Sequence, residues 1–264
     1  MQKTVQYQQS TISYTLKGGG QAIVLLHGFG EDGSIWQRQK DFLQKQFTVI
    51  VPNLPGSGKS ALLNKENVGM EDYASCVHAM LMEEGIESCI MLGHSMGGYI
   101  TLAFAEMFPG KLDAFGLVNS TAFADSTEKK EVRKQGIELI SEHGAYSFLK
   151  NTTPNLFSKE FKTNHSDQVA ALIEKGKQFN SEALVQYYTA MMNRPDRTSI
   201  LKESSVPVLF IIGTEDIAAP QSDLLQQVHL PKAAVIHILD GIGHMSMMET
   251  PEKLNELLLE FCLG

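Results

Sequence analysis

Short, almost purely apolar runs alternate with amphipathic segments along this chain, and the alternation predicts most of its architecture. Eight runs have strand character: residues 5–7 and 11–16, which read as an opening hairpin, then 22–26, 47–51, 89–92, 114–118, 208–212 and 235–239. Between them the period changes to that of a helix. Tyr73, Val77, Met80 and Leu81 fall on one apolar stripe with Glu84 off it, so this helix is expected to cover one face of a sheet. Near the C-terminus Thr250 is placed as a cap and Pro251 suits the first helical position. Leu254, Leu257, Leu258 and Phe261 then recur at core spacing.

Strands that are apolar at every residue need cover on both faces, because a strand with one wet face alternates apolar with polar residues. The pattern therefore predicts an α/β fold with a mostly parallel, eight-stranded sheet and helices on both faces. The alternation breaks after Ser120. From about 121 to 205 no buried strand is evident, while Ser126 and Ser181 are placed to cap helices running through Ile140 and Met192. This predicts a helical cap over 121–205, inserted into a core built from 1–120 and 206–264.

Composition narrows the function classes. With 43% hydrophobic and 20% charged residues, the 264-residue chain has material for a substantial core. A formal charge of −8 opposes general attraction to phosphate backbones, so nucleic acid is not an expected partner. No apolar run approaches the roughly 20 residues of a membrane-spanning helix, and the N-terminal residues lack a secretory apolar stretch, so a cytoplasmic protein without a membrane partner is expected. Cys76, Cys89 and Cys262 are odd in number and widely spaced, which points to buried structural thiols rather than a disulfide framework or a zinc site.

The most informative segment joins the apolar run 89–92 to a helix-like sequence through Gly93-His94-Ser95-Met96-Gly97. A G-x-S-x-G turn needs small neighbours so that the backbone folds closely while the serine hydroxyl projects. Ser95 is thus a candidate nucleophile; the plain alternative is a serine that merely caps the following helix. A serine hydroxyl needs a base, and the base needs an orienting group. The run 208–212 ends in Gly213-Thr214-Glu215-Asp216, which places an acid where ligands collect in open α/β sheets. The last run leads into Asp240-Gly241-Ile242-Gly243-His244, a histidine in a glycine-flanked loop. Asp216 is the candidate orienting acid and His244 the candidate general base. Glu215 is an alternative acid, and Asn119 and Asp125 lie where some hydrolases carry one after the preceding strand.

The chain order Ser95, Asp216, His244, together with the G-x-S-x-G turn, resembles the α/β-hydrolase superfamily over almost the whole chain apart from the cap. The resemblance implies a serine hydrolase acting through an acyl-enzyme, with no metal or organic cofactor. It extends to His27-Gly28-Phe29-Gly30, where related enzymes supply one oxyanion-hole donor; this implies the Phe29 N–H, with the Met96 N–H as the second. His27 reads as a loop-bonding histidine, His94 has no required proton-transfer role, and His78, His143, His165, His229 and His237 lack catalytic spacing. The family's loop after the fourth strand reads here as Asn53-Leu54-Pro55-Gly56-Ser57-Gly58-Lys59-Ser60, with Asn53 at a position commonly acidic. Gly56 to Ser60 hints at a phosphate loop, but its first glycine is replaced by Asn53.

The expected substrate is a small ester-like molecule, with carboxylesterase chemistry the broadest reading. Lactonases, thioesterases, carbon–carbon bond hydrolases and perhydrolases share these motifs, whereas a serine argues against relatives that begin with an aspartate nucleophile. Phe123, Tyr187, Met191, Met192, Ile217 and Met245 are candidate pocket residues, against the plainer reading that a Met and aromatic set packs the cap. A different class stays open as well: a ligand receptor or signalling partner that works through its cap, with slow incidental hydrolysis.

Overall fold

The computed structural model of the chain describes residues 1–264. The strands are β1 Gln2–Tyr7, β2 Ser10–Lys17, β3 Ala22–Leu26, β4 Thr48–Pro52, β5 Cys89–His94, β6 Leu112–Val118, β7 Val208–Gly213 and β8 Ala234–Leu239. They form one eight-stranded sheet in the order β1-β2-β4-β3-β5-β6-β7-β8. β1 and β2 pair as an antiparallel hairpin, β2 pairs antiparallel with β4, and every other neighbour is parallel. Strand order reverses between β3 and β5, so the loops after these two strands diverge to opposite faces and leave a crevice at their carboxyl ends.

The helices are α1 Gln37–Leu43, α2 Met70–Glu83, α3 Met96–Met107, α4 Thr127–Thr152, α5 Lys159–Asn164, α6 Ser166–Lys175, α7 Ser181–Asn193, α8 Thr198–Glu203, α9 Gln221–Leu225, α10 Ser246–Glu249 and α11 Pro251–Leu263. Side chains alternate across the sheet and divide the core in two. In β3, Ile23 and Leu25 pack with Leu43 of α1 and Leu254 and Leu258 of α11, while Val24 and Leu26 pack with Tyr73 and Val77 of α2 and Ile100 and Phe104 of α3. Each such fully buried aliphatic side chain stabilises the fold by about 1.5–3 kcal/mol, which is why both faces are covered.

The last strand departs from the expectation of two covered faces. β8 is an edge strand with β7 on one side only, and Ile236 and Ile238 remain 41% and 47% exposed. Its apolar sequence satisfies β-propensity rather than two-sided burial. The three cysteines are unpaired and buried, and burial pushes each thiol up to about 12.

Between β6 and β7 the chain is wholly helical, from α4 to α8. Ser126 caps α4, its hydroxyl accepting the Lys129 N–H at 3.2 Å. The cap of α7 is Asn180 rather than Ser181. Ser181 instead accepts the Ala145 N–H at 3.0 Å, satisfying a donor freed where α4 breaks at Gly144, φ 83°. Thr250 stands at the cap position of α11 but makes no side-chain capping bond; Pro251 is the first helical residue, where its missing N–H costs nothing. No helix is long and apolar enough to cross a membrane.

Candidate functional site

Ser95 sits at the abrupt turn from β5 into α3, with φ 50° and ψ −116°. A non-glycine residue in this region costs about 1–3 kcal/mol and persists only where its surroundings over-determine it. Here the Ser95 N–H donates to the Val118 carbonyl at 3.1 Å, and the Ser95 carbonyl accepts from the Gly98 N–H at 2.9 Å and the Ser120 hydroxyl at 2.7 Å. The flanking glycines are forced by crowding. A Cβ at Gly93 would overlap the Gly97 carbonyl, and one at Gly97 would lie 2.5 Å from the Leu26 carbonyl oxygen.

Asp216 and His244 meet after β7 and β8. The His244 Nδ1–Asp216 Oδ2 distance is 2.8 Å, and the two residues are 3% and 5% exposed respectively. The carboxylate is held by three further donors: Asn119 Nδ2 on Oδ2 at 3.0 Å, and the Ala218 and Ala219 N–H groups on Oδ1, both at 2.9 Å. Burial pushes the Asp216 carboxyl up, but His244 and these donors outweigh it and hold the group below its ordinary range. For His244, burial favours the neutral ring, yet the Asp216 charge and hydrogen bond, with smaller contributions from Glu31 and Glu249, raise it above its ordinary value. Asn119, at φ 50° after β6, is thus a positioning residue: its Nδ2 also donates to the Gly243 carbonyl at 3.1 Å and its Oδ1 accepts from Ser246 at 2.6 Å. Glu215 turns away, accepting the Lys159 N–H at 3.0 Å, and Asp125 binds arginines instead of His244.

Beneath this pair lies a second buried ionisable group that the sequence reading passed over. Glu31 Oε2 accepts the Gly28 N–H at 2.8 Å and lies 3.1 Å from His94 Nδ1, while His94 Nε2 meets the His244 carbonyl at 3.0 Å. Burial opposes the charge on Glu31, but His94 and the Gly28 amide hold its carboxyl below the ordinary range. The available signal was an acid placed directly after the glycine-flanked segment at 27–30. His27 bonds the loops: its Nδ1 meets the Gly28 carbonyl at 2.8 Å and its Nε2 accepts the Leu54 N–H at 2.9 Å. The segment 56–60 is not followed directly by a helix, since α2 begins only at Met70, and Ser57 donates to the Leu54 carbonyl at 2.9 Å. A phosphate loop would instead open straight into a helix.

Ser95 and His244 line one cavity of about 120 Å³, together with Phe29, Glu31 and Tyr99 from the core and Arg133, Leu156, Tyr188 and Met191 from the helical segment. No hydrogen bond joins the Ser95 hydroxyl to His244, whose Nδ1 is the nitrogen engaged by Asp216. The Phe29 N–H donates to no acceptor in the chain, and the Met96 N–H is the first of the unsatisfied donors at the start of α3. Of the candidate pocket residues, Met191 lines the cavity. Tyr187 is one position out of phase: its hydroxyl donates to the Pro55 carbonyl at 2.8 Å, and its neighbour Tyr188 faces the cavity, stacked on Phe29 at 4.1 Å between ring centroids. Ile217 is 68% exposed with Ala218 in its place, and Met245 is turned into the core beneath the sheet. Phe123 and Met192 are outside the lining, Phe123 contributing its carbonyl to Arg194 at 2.9 Å. No group of three or more His, Cys, Asp or Glu residues is arranged to hold a metal ion.

The comparisons with known proteins agree with this architecture. A family model described as the alpha/beta hydrolase fold matches residues 21–163. The chain is 29% identical over 247 residues to the dihydrolipoyllysine-residue acetyltransferase component of the acetoin cleaving system of Pseudomonas putida, a match covering 92% of this chain and 64% of that protein. It therefore spans less than two thirds of that relative's length. It is 28% identical over 252 residues to the 2-hydroxy-6-oxononadienedioate/2-hydroxy-6-oxononatrienedioate hydrolase of Burkholderia vietnamiensis, covering 92% of this chain and 87% of that one. Among solved structures, a thermophilic esterase from Thermogutta terrifontis, with malate bound, superposes with a TM-score of 0.93 at 25% identity, covering 99% of this chain and 97% of that one.

Proposed function

Because the chain belongs to the α/β-hydrolase family, we propose that it is a serine hydrolase that cleaves a small carboxylic ester through an acyl-enzyme, with Ser95 as nucleophile, His244 as base and Asp216 as orienting acid. The observation that carries this reading is the buried Asp216–His244 pair, 2.8 Å apart, beside a cavity whose wall includes Ser95 on its strained turn. Helices α4 to α8, over 121–205, act as the cap that roofs this cavity. No metal or organic cofactor is needed for the chemistry.

In the first half-reaction Ser95 Oγ attacks the ester carbonyl carbon while its proton passes to His244 Nε2. The carbonyl π electrons move onto oxygen, where the Phe29 and Met96 N–H groups receive the charge. Collapse restores the carbonyl and breaks the bond to the leaving alcohol, which takes the proton from His244. A water then attacks the acyl-enzyme, gives its proton to His244, and releases the acid as Ser95 recovers its proton. The sum is ester plus water to acid plus alcohol. Asp216 holds the His244 Nδ1–H, which leaves Nε2 free to accept from serine or water.

A cavity of about 120 Å³ is below the roughly 300–1,000 Å³ common for ligand pockets, so short acyl groups are the expected substrates. The test is initial rates on p-nitrophenyl esters of increasing acyl length, with Ser95→Ala beside the wild type. Expected is a rate that falls with acyl length in the wild type and drops by about a millionfold in Ser95→Ala. Equal rates in the two proteins would remove Ser95 from the mechanism. Absence of turnover on every ester would move the reading to a ligand receptor.

A further inference from the structure

We propose that Arg133 makes this cavity a site for carboxylate-bearing esters, its guanidinium holding an acid group on the substrate while the Ser95 end handles the ester carbonyl. The inference rests on the hydrolase reading above and adds the substrate class to it. Its starting point is a charge imbalance in the roof. The Asp125 side chain is fully buried and is shared by two guanidiniums: Arg133, with Nε at 2.6 Å and Nη2 at 3.3 Å, and Arg194, with Nη1 at 2.9 Å. One carboxylate against two permanent cations leaves a surplus positive charge beside the cavity.

The two arginines are engaged differently. Arg194 is 4% exposed in its side chain, donates to the Met191 carbonyl at 2.7 Å and the Phe123 carbonyl at 2.9 Å, and lies 3.8 Å over the Tyr99 ring. It is committed to the fold and forms no part of the cavity wall. Arg133 is in that wall with Ser95 and His244. Its Nε and Nη2 are fixed by Asp125, its guanidinium carbon lies 5.2 Å over the Tyr188 ring, and its Nη1 meets only the thioether of Met191, at 3.9 Å. A thioether is a weak acceptor, and a guanidinium does not shed its proton, so Nη1 retains donor capacity toward the cavity.

The acids on the floor make no contact with the Arg133 guanidinium, although Glu31 lines the same cavity and adds a negative charge there. Glu31 is occupied by the Gly28 amide and His94, and Asp216 by four donors including His244. An anionic group on the ligand is the complement that remains. Carboxylate suits it because a planar guanidinium pairs with carboxylate through directed, charge-assisted hydrogen bonds. Held by Asp125 and Tyr188, Arg133 is already oriented, so binding orders little that is not ordered beforehand. The small cavity volume, about 120 Å³, requires the acid group to lie within a short chain of the scissile bond.

The test compares kcat/KM for matched ester pairs by pH-stat: monomethyl glutarate against methyl pentanoate, with the acid on the acyl side, and butanoyloxyacetic acid against ethyl butanoate, with the acid on the leaving side. Expected is an acid-over-neutral ratio of at least about tenfold in one pair, falling about 30-fold in Arg133→Met and partly recovering in Arg133→Lys. A ratio at or below one in both pairs, or a ratio unchanged in Arg133→Met, overturns the proposal. A second arm needs no turnover: calorimetric binding of glutaramate to Ser95→Ala, with and without Arg133→Met. Binding that disappears with Arg133 upholds the acid subsite even where no ester is hydrolysed, so failure of the hydrolase reading is told apart from failure of this one. Absent or Arg133-independent binding overturns the proposal.

Discussion

Ser95, Asp216 and His244 each follow a parallel strand within a few residues, whereas Arg133, Tyr188 and Met191 reach the same cavity from α4 and α7. The floor is held by the main chain. The Ser95 N–H bonds to Val118, the Asp216 N–H to Gly213 at 3.3 Å and the His244 N–H to Leu156 at 2.7 Å, so the backbone fixes where each side chain starts. The roof is held by side chains: an ion-pair cluster around Asp125 and a stack of Tyr188 on Phe29. On the proposed reading, chemistry that tolerates little displacement sits at the ends of the strands and substrate selection falls to the helical segment, which is itself tied to the floor where the Leu156 carbonyl accepts the His244 N–H.

If that division is right, floor substitutions act on kcat and its pH dependence. The largest effect among these is expected for Asp216→Asn, which keeps the shape but removes the charge and reverses the preferred His244 tautomer; kcat should fall by about a thousandfold to ten-thousandfold. The pH profile carries a separate sign. The proposed mechanism needs a neutral His244, whose midpoint lies above its ordinary 6.5, so kcat/KM should fall as pH drops through a value above 6.5. Stability runs differently. The raised His244 midpoint contributes fully only below 6.5 and is lost as pH rises through the folded value, while the depressed Asp216 midpoint contributes fully above 3.8 and is lost below it. The pair therefore stabilises the fold most between 3.8 and 6.5, where His244 is protonated and hydrolysis is suppressed. A stability difference between wild type and Asp216→Asn that is largest at the pH of maximal activity, rather than between 3.8 and 6.5, would contradict this account.

Glu31 tests whether the floor extends beyond the three predicted residues. Its charge helps to raise His244, so Glu31→Gln should move the acid limb of kcat/KM to lower pH, by less than Asp216→Asn moves it. The loss at high pH, where His244 is neutral in both proteins, should stay below about tenfold because Glu31 touches His94 and Gly28 rather than His244. An unmoved limb would restrict Glu31 to holding the loop after β3.

What was legible in the sequence divides along the same line. The strands, the turn at Ser95 and the residues at 216 and 244 were readable because each requires a local pattern: an apolar run, a pair of glycines in close approach, a polar residue at a strand end. Arg133 had no such pattern. The first two turns of α4 carry Lys129, Lys130, Arg133 and Lys134, a solvent-facing composition by every local rule, and only the pairing with Asp125 and the crossing of α7 turn one of the four inward. Glu31 was obscured likewise, since its partner His94 is 63 positions away. Period alone does not fix the phase of α7, so the candidate at Tyr187 falls one position from Tyr188, the residue that lines the cavity.

That adjacent pair provides the smallest but sharpest test of the comparison, because the same residue type at consecutive positions is given opposite work. Tyr187 is fully buried, and its hydroxyl ties α7 to the loop after β4 through the Pro55 carbonyl. Tyr187→Phe leaves that carbonyl without its partner and should cost about 1 kcal/mol of stability, with kcat/KM inside about twofold. Tyr188 makes no hydrogen bond through its hydroxyl but presents its ring between Phe29 and Arg133. Tyr188→Phe should therefore be close to neutral in urea unfolding, while Tyr188→Leu, which removes the ring that orients both neighbours, should lower kcat/KM by about tenfold, mainly through KM. A Tyr187→Phe enzyme that loses activity without losing stability would move the substrate to the other side of α7, and the roof would have to be redrawn around it.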